Sequence, residues 1–380
     1  MQVSTPDVAV KQSSIPEFHN EPLTDFSVAA NRQPMERALE TVRRQLGREY
    51  DLVIGGERVR TKEKFRSFNP CRKSEVVGVF QKATPELAAR AVEEAAKTFE
   101  SWRETPASER AACLLKAGAI LRDRKFEMAA WMVFEVGKSW AEADADVAEA
   151  IDFCDFYARE MLRLAGPQPL TPVPGETNEL RYIPLGVGIV IPPWNFPLAI
   201  LVGMTTASWV AGNTVVLKPS SDSPAIAAQF VEVMQAAGLP SGVVNFLTGS
   251  GAIAGDALVR HAKARFVAFT GSKEVGLNIN ELAAKTAPGQ LWIKRVIAEM
   301  GGKDSIIVDS DVDLDAAVTE CWLRRLAIRD RNARLVPGPL WSIGSMIRSL
   351  KSSGAKSSRS ASAKRTIPRI TWVRSSTRRR

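Results

Sequence analysis

Five short stretches hold residues whose types and spacing suit chemistry. Ile191-Pro-Pro-Trp-Asn-Phe-Pro197 surrounds Asn195 with three prolines. Proline fixes φ and stiffens the chain, so a polar amide there is held in place. A pre-placed dipole of this kind stabilises a developing oxyanion without reorganising. The plainer reading is an Asn satisfying local backbone in a Pro-rich turn. Ala298-Glu-Met-Gly-Gly-Lys303 puts Glu299 before paired glycines. That suits a general base, and it equally suits a surface carboxylate beside Lys303. Thr248-Gly-Ser-Gly-Ala-Ile-Ala-Gly255 reads G-x-G-x-x-x-G, one residue longer than the usual dinucleotide fingerprint. Such a turn can aim backbone N–H groups at phosphate, or simply open a helix. Phe269-Thr-Gly-Ser272 repeats that logic one unit later. Lys218-Pro-Ser220 offers either a cation for a ribose or phosphate, or a solvated strand end.

These stretches need a frame that brings them to one side. Val187–Pro192, Thr214–Lys218, Val243–Leu247 and Arg265–Phe269 are short apolar runs that read as buried strands. Each is followed by a helical stretch: to Val210, then Ser223–Gly238, from Gly251, and from Ser272. Trp292–Met300 and Ser305–Asp309 add two more strands. Strands alternating with helices predict a doubly wound parallel sheet in an α/β domain. Such sheets bind ligands beyond the carboxyl ends of their strands, which is where all five stretches fall.

The chain before residue 187 differs. Residues 1–35 are polar and read as an arm. Pro34–Glu49 reads as a helix, and Leu52–Arg60 as a hairpin turning at Gly55-Gly56. Residues 84–104, 107–124 and 126–163 read as three amphipathic helices, with Thr84 and Thr105 as caps ahead of Pro85 and Pro106. A Pro-rich passage, 167–175, leads into an exposed strand, Glu179–Pro184. The expected organisation is an arm (1–35), a helical part (36–166), a strand segment (167–186), a Rossmann-like core (187–300), the start of a second domain (301–320) and a tail (321–380).

Composition narrows the classes. At 45% hydrophobic and 24% charged, the 380 residues suit a globular protein of more than one domain. No apolar run reaches the ~18 residues of a membrane span, and the N-terminus lacks signal-peptide order. A cytoplasmic location is the expectation. The four cysteines, Cys71, Cys113, Cys154 and Cys321, are far apart, and there are two histidines. Neither disulfides nor a zinc site is expected, and no metal is assigned. Cys113 and Cys154 fall in helical patterns and read as small hydrophobes.

Taken in order, Pro193-Trp-Asn-Phe-Pro197, Lys218-Pro-Ser220, Phe269-Thr-Gly-Ser272 and Glu299-Met-Gly-Gly-Lys303 resemble the aldehyde dehydrogenase superfamily. The likeness runs from about residue 20 to about 320. It leans to the dehydrogenases of 1-pyrroline-5-carboxylate (L-glutamate γ-semialdehyde) in proline breakdown. Asp51–Val59, Ala141–Cys154 and Leu291–Asp304 carry that detail. The resemblance implies an NAD site lined by the Pro193-Trp194 backbone, Lys218, Ser220, Gly249 and Ser272. It implies that Asn195 stabilises the oxyanion formed when a thiolate attacks an aldehyde. Glu299 would activate the water that releases glutamate. It also implies a homo-oligomer joined through residues 167–184. Another semialdehyde substrate and NADP stay open.

The implied nucleophile is missing. The family spacing puts its cysteine at Ala333, within Arg329-Asp-Arg-Asn-Ala-Arg-Leu335. Residues 321–380 hold thirteen Arg and three Lys against one acid, Asp330, a charge of +15. Residues 1–320 therefore carry −6 of the net +9. Synonymous codons for Arg329–Ile347, read one base out of frame, permit a Cys codon straddling Asn332 and Ala333. A frameshift near residues 320–325 is the leading expectation. It leaves a disordered basic tail, most of the catalytic domain absent and no turnover. An NAD-binding remnant is one alternative. Nucleic-acid binding through clustered Arg is a remote one, since the tail has few interleaved aromatics, Trp341 and Trp372 beyond Trp322 at its start.

Overall fold

A computed structural model describes residues 15–302, together with residues 313, 316 and 317. Two compact units divide near Gly301. In the second, Asp313 accepts hydrogen bonds from the Ala316 and Ala317 amides. The tail, Ser305–Asp309, Cys321 and Ala333 lie outside the described residues.

The first unit is built on a seven-stranded sheet. Its strands are β2 (Leu52–Ile54), β3 (Glu57–Val59), β6 (Val187–Ile191), β7 (Thr214–Leu217), β8 (Val244–Phe246), β9 (Ala264–Gly271) and β10 (Arg295–Met300), in the order β10-β9-β6-β7-β8-β2-β3. The five strands from β6 to β10 are mutually parallel. The chain steps outward from β6 to β8, then returns to lay β9 on the other side of β6. That reversal makes β6/β9 the switch point of a doubly wound sheet. The β2–β3 hairpin, turning at Gly55-Gly56 as expected, adds antiparallel to β8.

Alternation sends side chains to two cores. Val187, Ile189, Val216, Val267 and Phe269 face α2 (Pro85–Trp102), α8 (Asp256–Arg260) and α9 (Lys273–Ala284). Val190, Val215, Leu217, Phe246 and Ala268 face a larger layer. That layer comprises α3 (Ala107–Asp123), α4 (Lys125–Val136), α5 (Trp140–Ala165), α6 (Ala199–Val210) and α7 (Pro224–Ala237). Strands buried on both faces have no polar face to show, which is why they read as unbroken apolar runs.

Several expectations need correction. The first helix, α1, spans Ala29–Arg43, with Pro34 inside it. An Asp25 turn starts it: the Asp25 carboxylate takes the Ser27 amide, and its carbonyl takes the Val28 amide and the Asn31 side chain. The arm is also partly fixed. Asn20 and Glu21 donate to Asp152, and Thr24 donates to Asp144, both on α5. The stretch 126–163 is two helices. Gly137 takes φ of 65°, a left-handed stop that glycine adopts without strain. Ser139 and Glu142 then form a capping box that starts α5. Thr84 caps α2 as expected, whereas Pro106 takes the cap position of α3.

The part expected to be helical also holds strands. β1 (Arg48–Tyr50), β4 (Lys64–Asn69) and β5 (Arg72–Gln81) form a separate three-stranded sheet, with β1 parallel and β4 antiparallel to β5. Residues 179–184 do not form the expected strand. They run extended and exposed, with Tyr182 and Ile183 in the open. An isolated extended segment lacks a neighbour to complete its backbone hydrogen bonds.

Candidate active site

The candidate residues line one rim, in consecutive loops. β6 runs out into Pro192–Pro197, β7 into Lys218–Ser223, β8 into Thr248–Gly255, and β9 into Ser272, while Glu299 stands next to the end of β10. Neighbouring strands lie about 4.8 Å apart, so the five loops span roughly 20 Å. The register sets Ile191 beside Phe269, and Glu299 beside Thr270. The Asn195 loop and the Thr270–Ser272 loop thus flank the switch point, with Glu299 one strand further out.

Burial separates the residues. Pro192, Pro193 and Pro197 are buried, Asn195 is half-buried and Trp194 is exposed. Lys218 is not the solvated strand end that sequence allowed. It is 4% exposed, and its Nζ donates to the Pro219 carbonyl at 3.2 Å. An ammonium has three donors, so capacity remains for a ligand oxygen. Loss of hydration pulls the Lys218 pKa down to about 8. Its stem passes the π turn Gly251–Gly255, where a Cβ at Gly255 would stand 3.6 Å from Lys218 Cδ.

The Gly249 turn is braced from behind. Gly249 has φ of 136°, and a Cβ there would come within 3.0 Å of the Ala83 amide nitrogen. Only glycine fits without strain. The Thr248 hydroxyl donates to the Gln81 carbonyl, and the Ala83 amide donates to the Thr248 carbonyl. The Ser221 hydroxyl donates to the Gly249 carbonyl at 3.2 Å, joining the β7 and β8 loops. Ser220 Oγ accepts from the Asp222 amide, and Ser272 Oγ caps α9 by accepting from Val275. The exposed turn at Ser250–Ile253, the Lys218 ammonium and serine hydroxyls together fit a ligand bearing phosphate and ribose oxygens.

Three residues behind the rim escaped the sequence reading. Glu135, Lys138 and Asp146 are all buried charges. Glu135 accepts from the Ala225 and Ile226 amides at 2.6 and 2.9 Å, capping α7, and from Ser67 Oγ at 3.3 Å. Burial pushes its carboxyl up to about 7, against the pull of those two amides. Lys138 pairs with Asp146, and its Nζ lies 4.6 Å from the Phe196 ring centre. Asp146 also accepts from the Ala199 amide at 2.6 Å, at the start of α6. The available signal was a carboxylate ending the apolar run Met128–Phe134, and acids spaced along the Ala-rich stretch Ala141–Ala150.

Comparison with known proteins agrees with this geometry. The aldehyde dehydrogenase family profile matches residues 25–327. A 1-pyrroline-5-carboxylate dehydrogenase of Geobacillus kaustophilus is 57% identical over 300 residues, covering 79% of this chain and 58% of the relative. One from Bacillus cytotoxicus is 54% identical over the same shares. Among solved structures, the 1-pyrroline-5-carboxylate dehydrogenase from Thermus with bound NAD superposes with a TM-score of 0.82 at 47% identity. It covers 85% of this chain and 63% of that one. The Mycobacterium tuberculosis Δ-pyrroline-5-carboxylate dehydrogenase bound with NAD gives 0.81 at 27% identity, covering 90% and 65%. The chain thus spans about three-fifths of the length of the relatives it matches.

Proposed function

Because this chain belongs to the aldehyde dehydrogenase family, we propose that its rim is an NAD site. The parent activity we infer is oxidation of L-glutamate γ-semialdehyde to glutamate in proline degradation. The observation that carries this reading is 57% identity to a 1-pyrroline-5-carboxylate dehydrogenase, over the stretch that builds the five loops.

Each residue has a role the geometry supports. Lys218 and Ser220 hold ribose or phosphate oxygens, and Gly249 lets the backbone approach them. The Pro193 and Trp194 backbone and Ser272, at the start of α9, would line the same site. Bound NAD supplies the hydride acceptor. Asn195 donates to the oxygen that becomes negative, and Glu299, exposed on β10, takes a proton from water. The aldehyde substrate and the homo-oligomer built through residues 167–186 belong to the same proposal, as does a cytoplasmic location. No helix among the described residues is long and apolar enough to cross a membrane.

With Ala333 where the family spacing expects cysteine, this chain lacks the thiolate that captures the aldehyde. We therefore read it as binding NAD without turning over. Calorimetric titration with NAD, followed by an NADH assay with glutamate semialdehyde, tests both halves. The expected result is saturable binding and no NADH. NADH production that disappears in Glu299→Ala would overturn the inactivity, and absent binding would overturn the cofactor site. Resequencing codons 315–340 tests the frameshift. A single added or missing base that restores F-G-x-x-G-x-K-C is the expected finding.

A further inference from the structure

Two of the rim loops end in helices whose first amides are already taken. The β6 loop runs into α6, and its Ala199 amide is held by Asp146. The β7 loop runs into α7, and its Ala225 and Ile226 amides are held by Glu135. The two carboxylates flank one turn: Glu135 lies in the last turn of α4, and Asp146 lies in the second turn of α5. Gly137 makes that turn, and Lys138 within it serves the β6 side. It pairs with Asp146 and stands over Phe196, next to Asn195. The Lys138 and Asp146 side chains are 3% and 0% exposed.

A buried carboxylate is retained at a cost in desolvation. An apolar turn could fill the same space, so the charges need a reason. At each helix start they fix the direction of N–H bonds that otherwise point at the rim. Fixing the first turn of α6 fixes the exit of the Pro192–Pro197 loop. Fixing the first turn of α7 fixes the exit of the Lys218–Ser223 loop.

We propose that Glu135, Lys138 and Asp146, grouped around the α4–α5 turn, form a clamp that sets the Asn195 loop and the Lys218 loop independently. They are positioning residues, and none of them touches the ligand. The proposal deepens the cofactor-site reading, since the clamped loops are the ones assigned to NAD.

Hydrogen–deuterium exchange on the full chain tests it, with NAD titration alongside. Asp146→Ala is expected to speed exchange across residues 195–201 by about tenfold and to leave 218–227 unchanged. Glu135→Ala is expected to do the reverse. Asp146→Asn and Glu135→Gln keep an acceptor oxygen, so each should restore parental exchange in its own loop. NAD affinity should fall in both alanine variants and return in the conservative ones. If the alanine variants do not fold, Asp146→Ser and Glu135→Thr, polar but too short to reach, carry the same expectation. Exchange that rises equally in both loops and throughout the sheet would overturn the clamp, because it marks a merely structural role. Unchanged exchange in both loops would overturn it too. If the parent chain binds no NAD, the cofactor reading fails alone, and the exchange pattern still decides the clamp.

Discussion

Two parts of the rim, its middle at β6 and β7 and its edge at β10, are held in opposite ways. At β6 and β7 the loops rest on buried charges, each matched to a backbone amide or an opposite charge. At β10 the rim strand pairs with β9 on one side, and its outward face shows Arg295, Ile297 and Glu299 to solvent. Ile293 is 90% exposed and Ile297 62%. Among the described residues, nothing covers that face. The contrast teaches where precision was placed: the β6 and β7 loops are locked by internal partners, whereas the strand bearing Glu299 is supported by β9 and its inner face alone.

Three changes would break or sharpen this contrast. The largest effect is expected from Lys138→Met, which leaves Asp146 buried and unpaired. Breaking such a pair costs about 3–5 kcal/mol, readable as a lower urea midpoint. A loss below about 1 kcal/mol would mean the pair is not the anchor described.

Next is Glu135→Gln. The Glu135 carboxyl sits at about 7 in the fold against 4.5 when exposed. Folding therefore takes up a proton between those values, and this contribution to stability is greatest below about 4.5 and is lost as pH rises through 7. The shift corresponds to roughly 3 kcal/mol. Urea unfolding at pH 5 and pH 7.5 should show that the Gln variant lacks this part of the pH dependence. Parallel pH profiles for parent and variant would contradict it.

The smallest effect belongs to Ile297→Lys at the open end. An exposed residue with few partners should change stability by about 0.5 kcal/mol or less. A large loss of melting temperature would show that β10 is covered in solution.

Sequence made the open sheet legible and left the clamp hidden, for physical reasons. Parallel strands buried on both faces leave apolar runs such as Val187–Ile191. Prolines and glycines mark the loops because backbone geometry demands them at Pro193 and Gly249. The rim residues were legible as candidates for that reason. Glu135 and Asp146 work through amides 90 and 53 positions away, and no local pattern announces such a partner. The sheet of β1, β4 and β5 was missed because its strands carry charges such as Arg48, Lys64 and Arg72. The helical signal across residue 137 was strong enough to mask a glycine stop.

The β2–β3 hairpin has a consequence in time. Val53 pairs with Phe246, and the Gly55 amide donates to Asn245 Oδ1 across 190 residues of chain. A ribosome adding about 5–20 residues per second needs on the order of 10–40 s to make that partner. Until then the hairpin waits without its sheet. Closing so long a loop slows folding more than it weakens the finished fold. The earliest residues of the large sheet are therefore among the last to be seated, and a nascent chain stalled before Asn245 would leave them uncovered.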